Sequence, residues 1–510
     1  MMEFFRIILF TLIPISCIFS EIRLAPLFQD HGVLQRDMPL RIWGVADPGE
    51  PVKVFFLGKK EEAIAASNGE WSVTLAPSSA SNQPQSLVVQ GANHTITVKD
   101  LLVGELWFCS GQSNMAWTVK LSNDSEREVL QANYPSIRLY QVPKASSNKP
   151  ESNVGGEWRV CMPKTIADFS AVAYYFGRHL HEALDVPIGL INSSWGATQA
   201  EAWISAEALR KSSVYPNVKK RWESVLASYP SDFDRYRAKL DAWRQASREA
   251  ASRGDQIKAK APRAPLGPGS KREPSGLYNG MVAPFLPATI RGVIWYQGES
   301  NAVQHEEYEE LFTSLIQDWR SGFEQPSLFF NYVQLANVHR KYDPTKQEFS
   351  YIREAQRHVL KLADTGMAVA VDIGERNQIH PGNKQEVGRR LAAIALAQVY
   401  DKDVTFYGPS VVAAYSLGRQ VRVEFDSGAN HLVLNDLEDH GFELAGSDEV
   451  FYAAEATLMG SVLLLESDDI ASPQYIRYAW GNDPIVSVFN DASYPASPFL
   501  LELNSENLDE

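Results

Sequence analysis

The sequence predicts an α/β protein: a parallel sheet flanked by helices, with β-sandwich-like regions at the N- and C-terminal ends and a helical insertion. Three observations predict it. Apolar runs alternate with amphipathic stretches through the middle of the chain, the pattern of a sheet covered on both faces. Short β-rich runs broken by Gly, Pro and Asn occupy residues 21–100 and 401–510. A charged stretch without any strand pattern, followed by a Pro- and Gly-rich loop, interrupts the middle at 206–270.

The N-terminus reads "MMEFFRIILFTLIPISCIFSEIRLAP", with Arg6 ahead of an apolar run from Ile7 to Phe19. That run has the length of a signal peptide and is short for a membrane span, so residues 1–20 are expected to be cleaved near Ser20. The mature chain is then periplasmic or secreted, with no membrane span left after cleavage. Beyond the leader the cysteines are Cys109 and Cys161. Two cysteines make no disulfide framework and have no zinc-site spacing; one disulfide or two buried thiols both fit.

Residues 21–100 follow as a small β domain, carried by "RIWGVADPGEPVKVFFLG", "NGEWSVTLAP" and "QSLVVQGANHTITVKDLLVG". From 101 to 400 the strands are "ELWFCSG", "PIGLINSSWG", "IRGVIWYQGES", "SLFFNYVQLAN" and "MAVAVDIG". The helices are "SAVAYYFGRHLHEAL", "YEELFTSLIQDWR", "IREAQRHVLKLA" and "NKQEVGRRLAAIALAQVY". Within the insertion, 206–254 reads as a helical hairpin, and "KAKAPRAPLGPGSKREPSG" is loop that either borders the site or serves as a linker. Residues 401–510 return to β structure in "VVAAYSLGRQVRVEFDSG", "HLVLND", "SVLLLES" and "QYIRYAW". With 48 Lys and Arg against 62 Asp and Glu, the net charge is −14, and no basic run interleaves with aromatics. Nucleic acid is therefore excluded as a partner.

Ligands of an open parallel sheet collect at the carboxyl ends of its strands. There the chain carries Ser113, then Asn192 to Gly196, then Gln297, Gly298, Glu299 and Asn301, then Asp372, Glu375 and His380. A serine becomes a useful nucleophile when a base takes its proton, and histidine is the usual base. Most of the ten histidines fall in helix patterns or in the flanking β regions. His305 and His339 follow strands and remain candidates, while His380 lies in a Gly/Asn/Pro loop facing the strand ends. Acyl transfer also needs donors for an oxyanion, which the N–H groups of Ser113 and Gly196 and an amide of Asn301 or Gln297 can supply. "GQSNM" has Met115 where the α/β-hydrolase elbow has its second glycine, so the serine belongs to another type of site.

"GQSNM", "NSSWGATQAEAW", "WYQGESNA" and "IHPGNKQEVGRRLA", in this order, resemble the sialate O-acetylesterase family of the SGNH hydrolases. The resemblance extends over nearly all of the mature chain. It implies an SGNH-type sheet, Ser113 as nucleophile, His380 as base, and an oxyanion hole lined by Gly196 and Asn301 or by the Gln297-Gly298-Glu299 turn. It implies neither metal nor organic cofactor, and an O-acetylated sugar or glycan as substrate. O-acetylated sialic acid is favoured, with acetylated xylan or xyloglucan as competitors. Glu299 reads better as a carboxylate holding a neighbouring loop than as an acid–base group.

The chain departs from the family in one place. An aspartate ordinarily stands three residues before the histidine, or two in "DIHP"; here "RNQIHP" has Asn377 and Gln378 at those positions. Asp372 or Glu375 then orients the imidazole from the same loop, or a backbone carbonyl does so in a Ser–His dyad, or catalysis is weakened. Two other classes compete: a carbohydrate-binding relative that has lost catalysis, and a glycosidase built on Glu299 and Asp372.

Overall fold

The computed structural model describes residues 22–255, 259–340 and 343–505. The expected signal peptide, residues 1–20, lies outside the described residues. Among the described residues no helix is long and apolar enough to cross a membrane.

Seven strands form the central part of an 11-stranded sheet: β1 (Thr95–Gly111), β2 (Tyr134–Gln141), β3 (Trp158–Cys161), β4 (Ile188–Ser194), β5 (Gly292–Tyr296), β6 (Phe329–Val333) and β7 (Thr365–Ala368). Their spatial order is β3-β2-β4-β1-β5-β6-β7. All neighbours run parallel except β3, which is antiparallel to β2 at the edge. β4 and β5 are buried at every residue, as strands covered on both faces must be.

Adjacent residues of β1 show how the covering works, because successive side chains point to opposite faces. Trp107 meets Phe176 of α2 (Ala171–Leu184) with ring centroids 4.9 Å apart, and Phe108 meets Trp319 of α4 (Tyr308–Gly322) at 5.5 Å. A four-residue helix, α1 (Ser113–Ala116), follows β1, and α3 (Tyr215–Ser252) lies in the insertion. α5 (Glu348–Val359) and α6 (Lys384–Gln398) complete the set used below.

The two flanking β regions are attached differently. β1 is 17 residues long. Its first half pairs with Ser81–Gln90 and Val33–Gln35 of the N-terminal region, and its second half with β4 and β5. One apolar core therefore runs from Ile22 through the N-terminal strands to Leu396, while the C-terminal strands enclose a second core of their own around Val421, Leu463 and Tyr478. The C-terminal region contains an eight-stranded sheet.

Two features differ from the sequence expectations, and a third decides between alternatives left open. In place of the helical hairpin expected over 206–254 stand a short helix, Ala206–Lys211, and then α3, which runs unbroken for 38 residues with Pro230 inside it. No glycine occurs between Tyr215 and Ser252, so nothing but the proline suggests a turn. One proline removes a single helical hydrogen bond, which 38 residues absorb. β2 and β3 are additional strands; Arg138 sits buried in β2 and pairs with Asp100 at 2.8 Å, so a charge hides the apolar pattern. Cys109 and Cys161 are both buried free thiols, and burial pushes the Cys161 thiol up to about 12.

Candidate active site

β1 lies at the point where the chain changes direction across the sheet, with β4 on one side and β5 on the other. In an open parallel sheet the ligand crevice lies at such a point, at the carboxyl ends of the strands. Three of the sequence-selected segments meet in it. Ser113, half-buried, opens α1 immediately after β1. Its turn is held from both sides: the Gln112 N–H donates to the Tyr296 carbonyl at 2.9 Å, and the Trp195 N–H donates to the Gly111 carbonyl at 3.1 Å. Gly196 approaches so closely that a Cβ there would lie 3.1 Å from the Ser113 Cβ. The next residue, Ala197, has φ 60, a left-handed conformation uncommon for a residue with a side chain. Among the described residues, neither the Ser113 N–H nor the Gly196 N–H has a hydrogen-bond partner.

The β5 turn is knitted behind this mouth. The Asn301 Oδ1 accepts from the Ala200 N–H at 2.9 Å and from Gln297 Nε2 at 2.7 Å, and its Nδ2 donates to Glu201 at 3.0 Å. Gln297 Nε2 also donates to the Thr198 carbonyl, 3.2 Å away. Both of its N–H bonds are thus used inside the protein, whereas the Asn301 amide donates one bond to the described residues. Gly298 has φ 154, and a Cβ there would press on Ile352 at 2.9 Å.

Glu299 is buried beneath the serine turn and joined to it by Asn114, the residue after Ser113. Asn114 Nδ2 donates to Glu299 Oε1 at 2.5 Å and to the Ile379 carbonyl at 3.0 Å, and Asn114 Oδ1 accepts from Lys384 Nζ at 2.6 Å. Burial raises the Glu299 carboxyl above its usual value, against the pull of the Asn114 hydrogen bond. Burial also brings the Lys384 ammonium down to about 7, opposed by the charges of Glu299 and Glu375. Asn114 therefore links the Ser113 turn to the carbonyl just before His380 and to the first residue of α6.

His380 is half-buried, and its ring stacks on Trp117 at 4.9 Å with an interplanar angle of 23°. Burial, and then the Lys384 charge, hold its pKa below the usual histidine value. No described side chain hydrogen-bonds the ring, and the Ser113 hydroxyl is likewise free of hydrogen bonds to the described residues. The acids expected to orient the imidazole are engaged elsewhere. Asp372 forms a two-pronged pair with Arg390, both contacts 2.7 Å, and Glu375 accepts from the Gly382 N–H at 2.7 Å. Gln378 accepts a long 3.4 Å bond from the backbone N–H of His380, and Asn377 is exposed. Of the four, none reaches the ring, which is held by the Trp117 face instead. The other strand-following histidines lie apart from this arrangement: the His305 ring stacks on Tyr351 at 4.3 Å, and His339 donates its N–H to the Arg376 carbonyl.

Sequence reasoning passed over Asn114, Trp117, Lys384 and the Lys271-Arg272 pair. Asn114 and Lys384 lie inside quoted motifs, so their proximity in sequence to Ser113 and His380 was the available sign. Among the described residues no group of three His, Cys, Asp or Glu side chains is placed to hold a metal ion.

A serine presented at the centre of a parallel sheet, beside a glycine loop with free N–H groups, places the molecule with hydrolases of the serine-esterase class. Comparison with known proteins agrees. Residues 251–397 match the family model for a carbohydrate esterase, sialic acid-specific acetylesterase. A sialate O-acetylesterase of Homo sapiens is 32% identical over 76% of this chain and 73% of its own, and one of Mus musculus is 29% identical over 95% of each. A crystal structure of a carbohydrate acetylesterase from Xanthomonas citri superposes with a TM-score of 0.79 at 32% identity, covering 94% of this chain and 100% of that one. The chain belongs to the sialate O-acetylesterase family and is a carboxylic ester hydrolase.

Proposed function

We propose that this carbohydrate esterase is exported and removes O-acetyl groups from sialic acids through an acetyl-enzyme on Ser113. The observation that carries the reading is the bridge made by Asn114, which ties the serine turn to the carbonyl preceding His380. Ser113 Oγ attacks the acetyl carbonyl carbon while His380 takes the hydroxyl proton. The oxyanion is met by the N–H groups of Ser113 and Gly196, with Asn301 as the third donor. The bond from the acetyl carbon to the sugar oxygen then breaks, and His380 returns its proton to that oxygen. Water repeats the sequence on the acetyl-enzyme, releasing acetate and restoring the Ser113 hydroxyl.

The base works as a dyad partner here: the Trp117 face fixes the ring plane, in place of the aspartate that "RNQIHP" lacks. Export is supported by the apolar run behind Arg6, and is tested by sequencing the N-terminus of protein recovered outside the cytoplasm; retention of Met1 would overturn it.

Acetate release from 4-nitrophenyl acetate, 9-O-acetyl sialic acid and acetylated xylan tests the reading. Wild type should act on the first two. Ser113→Ala should lower the rate by about 10³-fold or more. Turnover of acetylated xylan alone would make the natural substrate a plant polysaccharide, and undiminished turnover by Ser113→Ala would refute the mechanism.

A further inference from the structure

The Lys- and Pro-rich loop after α3 folds back onto the serine turn's glycine loop. Lys271 Nζ donates to the Gly196 carbonyl at 2.5 Å, and Arg272 Nε donates to the Ala197 carbonyl at 3.1 Å. The segment after β2 joins them: Ser146 Oγ donates to the Ser270 carbonyl at 3.1 Å, and the Ser147 N–H to the Gly276 carbonyl at 3.0 Å. That contact brings Lys144 toward Lys271. Burial lowers the Lys271 pKa first, and the charges of Arg272, Lys144 and Arg263 lower it further.

Lys271 and Arg272 thus both bond the loop whose glycine abuts Ser113, with Lys144 and Arg263 near enough for their charges to act on Lys271, in a protein of net charge −14. Among the described residues none of the four forms an ion pair with a carboxylate. Two part-buried guanidiniums of the same chain, by contrast, are paired: Arg390 with Asp372 and Arg477 with Glu443. Like charges gathered without a counter-charge raise the free energy of the empty site, and an anionic ligand relieves it. Arg272 spends only Nε on the protein, so its terminal fork is free to take a carboxylate in the two-pronged geometry that guanidinium favours.

We propose that Arg272, Lys271, Lys144 and Arg263 form a carboxylate-binding subsite beside Ser113, selecting acetylated sugars that bear an acid group. This rests on the sialic acid reading above and assigns the residues that enforce it. The subsite distinguishes a sialic acid from a neutral acetylated sugar by charge and geometry, and leaves the acetyl group to the serine.

The test compares acetate release from 9-O-acetyl-N-acetylneuraminic acid with release from its C1 methyl ester, which keeps the sugar and removes the charge. Wild type should prefer the acid in kcat/KM by about tenfold or more, as a charge-assisted hydrogen bond implies. Arg272→Gln should bring that ratio close to one, chiefly by raising KM for the acid, with Arg272→Lys between. Lys144→Gln, an exposed substitution that spares the loop contacts, should lower the ratio by a smaller factor. The preference should also fade as ionic strength rises. Equal turnover of acid and methyl ester by wild type would overturn the subsite while leaving the sialic acid reading intact. So would an Arg272→Gln variant that loses both activities equally. Failure on both sialic acid substrates with turnover of acetylated xylan would instead overturn the sialic acid reading itself, and the subsite with it.

Discussion

The two halves of the proposed catalytic pair are held by different means. Ser113 is fixed by the sheet: its turn is bonded to the ends of β4 and β5, and Gly196 presses against it from one side. His380 stands on a loop whose residues 375–379 are exposed, and its ring is kept in place by the Trp117 face. Between them runs the Asn114 bridge, with Lys384 and Glu299 buried on it. The difference teaches that the backbone positions the nucleophile, whereas side chains position the base. Substitutions should therefore injure the histidine half without disturbing the serine half.

The substitution that breaks the comparison most severely is Asn114→Ala, because its side chain bonds Glu299, the Ile379 carbonyl and Lys384 at once. It should lower kcat about a hundredfold, as expected for a misplaced catalytic group. It should also cost stability of about 1–3 kcal/mol, because Glu299 and Lys384 lose a buried partner. Thermal unfolding and steady-state kinetics on 4-nitrophenyl acetate measure both. An unchanged kcat would show that the two loops need no bridge.

Next comes Trp117. Removing its indole should free the His380 ring, so Trp117→Ala should lose up to about tenfold in kcat, while Trp117→Phe keeps an aromatic face and most of the rate. Equal losses in both variants would point away from the stacked face.

Lys384→Met sharpens the comparison through pH. The neutral imidazole is the active form, so kcat/KM rises as pH increases through the His380 pKa. Burial and the Lys384 charge hold that pKa below the ordinary value, and the acid limb should accordingly lie below about 6.5 in wild type. Deleting the cation should move the limb toward higher pH, still below the ordinary value because the burial remains. A limb that stays put, or moves down, would remove Lys384 from the environment of the base.

Asp372→Asn should have the smallest effect on catalysis. It removes one of the two carboxylates paired with buried Arg390, Glu386 remaining, and should destabilise the protein by about 1–3 kcal/mol. The pH profile of the folded variant should match wild type. A displaced acid limb would return Asp372 to the role of orienting His380.

Much of this was legible before any coordinates. The strands on either side of the crevice are continuous apolar runs because both faces are buried, and short polar residues and glycines stand where they end. That is why Ser113, Gly196 and the Gln297–Asn301 turn could be picked out together. The hidden parts are those where charge goes inward. Lys384 reads as an ordinary first-turn residue of a charged helix, and nothing local shows that its ammonium is buried against Asn114 and the Tyr296 ring, 5.3 Å from the ring centroid. Arg138 concealed β2 in the same way. Asp372 and Glu375 illustrate the reverse error: each stands near His380 in sequence, yet each is already bonded elsewhere by Arg390 or by the Gly382 N–H. Sequence distance cannot reveal a prior engagement.

The length of β1 bears on how this molecule can be divided or inherited. The strand that delivers Ser113 is also a wall of the N-terminal β region, so no cut between residues 95 and 111 leaves two intact pieces. A shortened chain starting at residue 101 would begin inside that strand and strip its partners from one side, exposing unpaired backbone on the element that aims the nucleophile. The N-terminal region is therefore a fixed part of the hydrolytic unit: recombination or gene fusion must join ahead of Arg23. The C-terminal region has its own core, yet buried Arg353 of α5 donates to the Gly481 and Asn482 carbonyls, so a replacement module would have to restore those bonds.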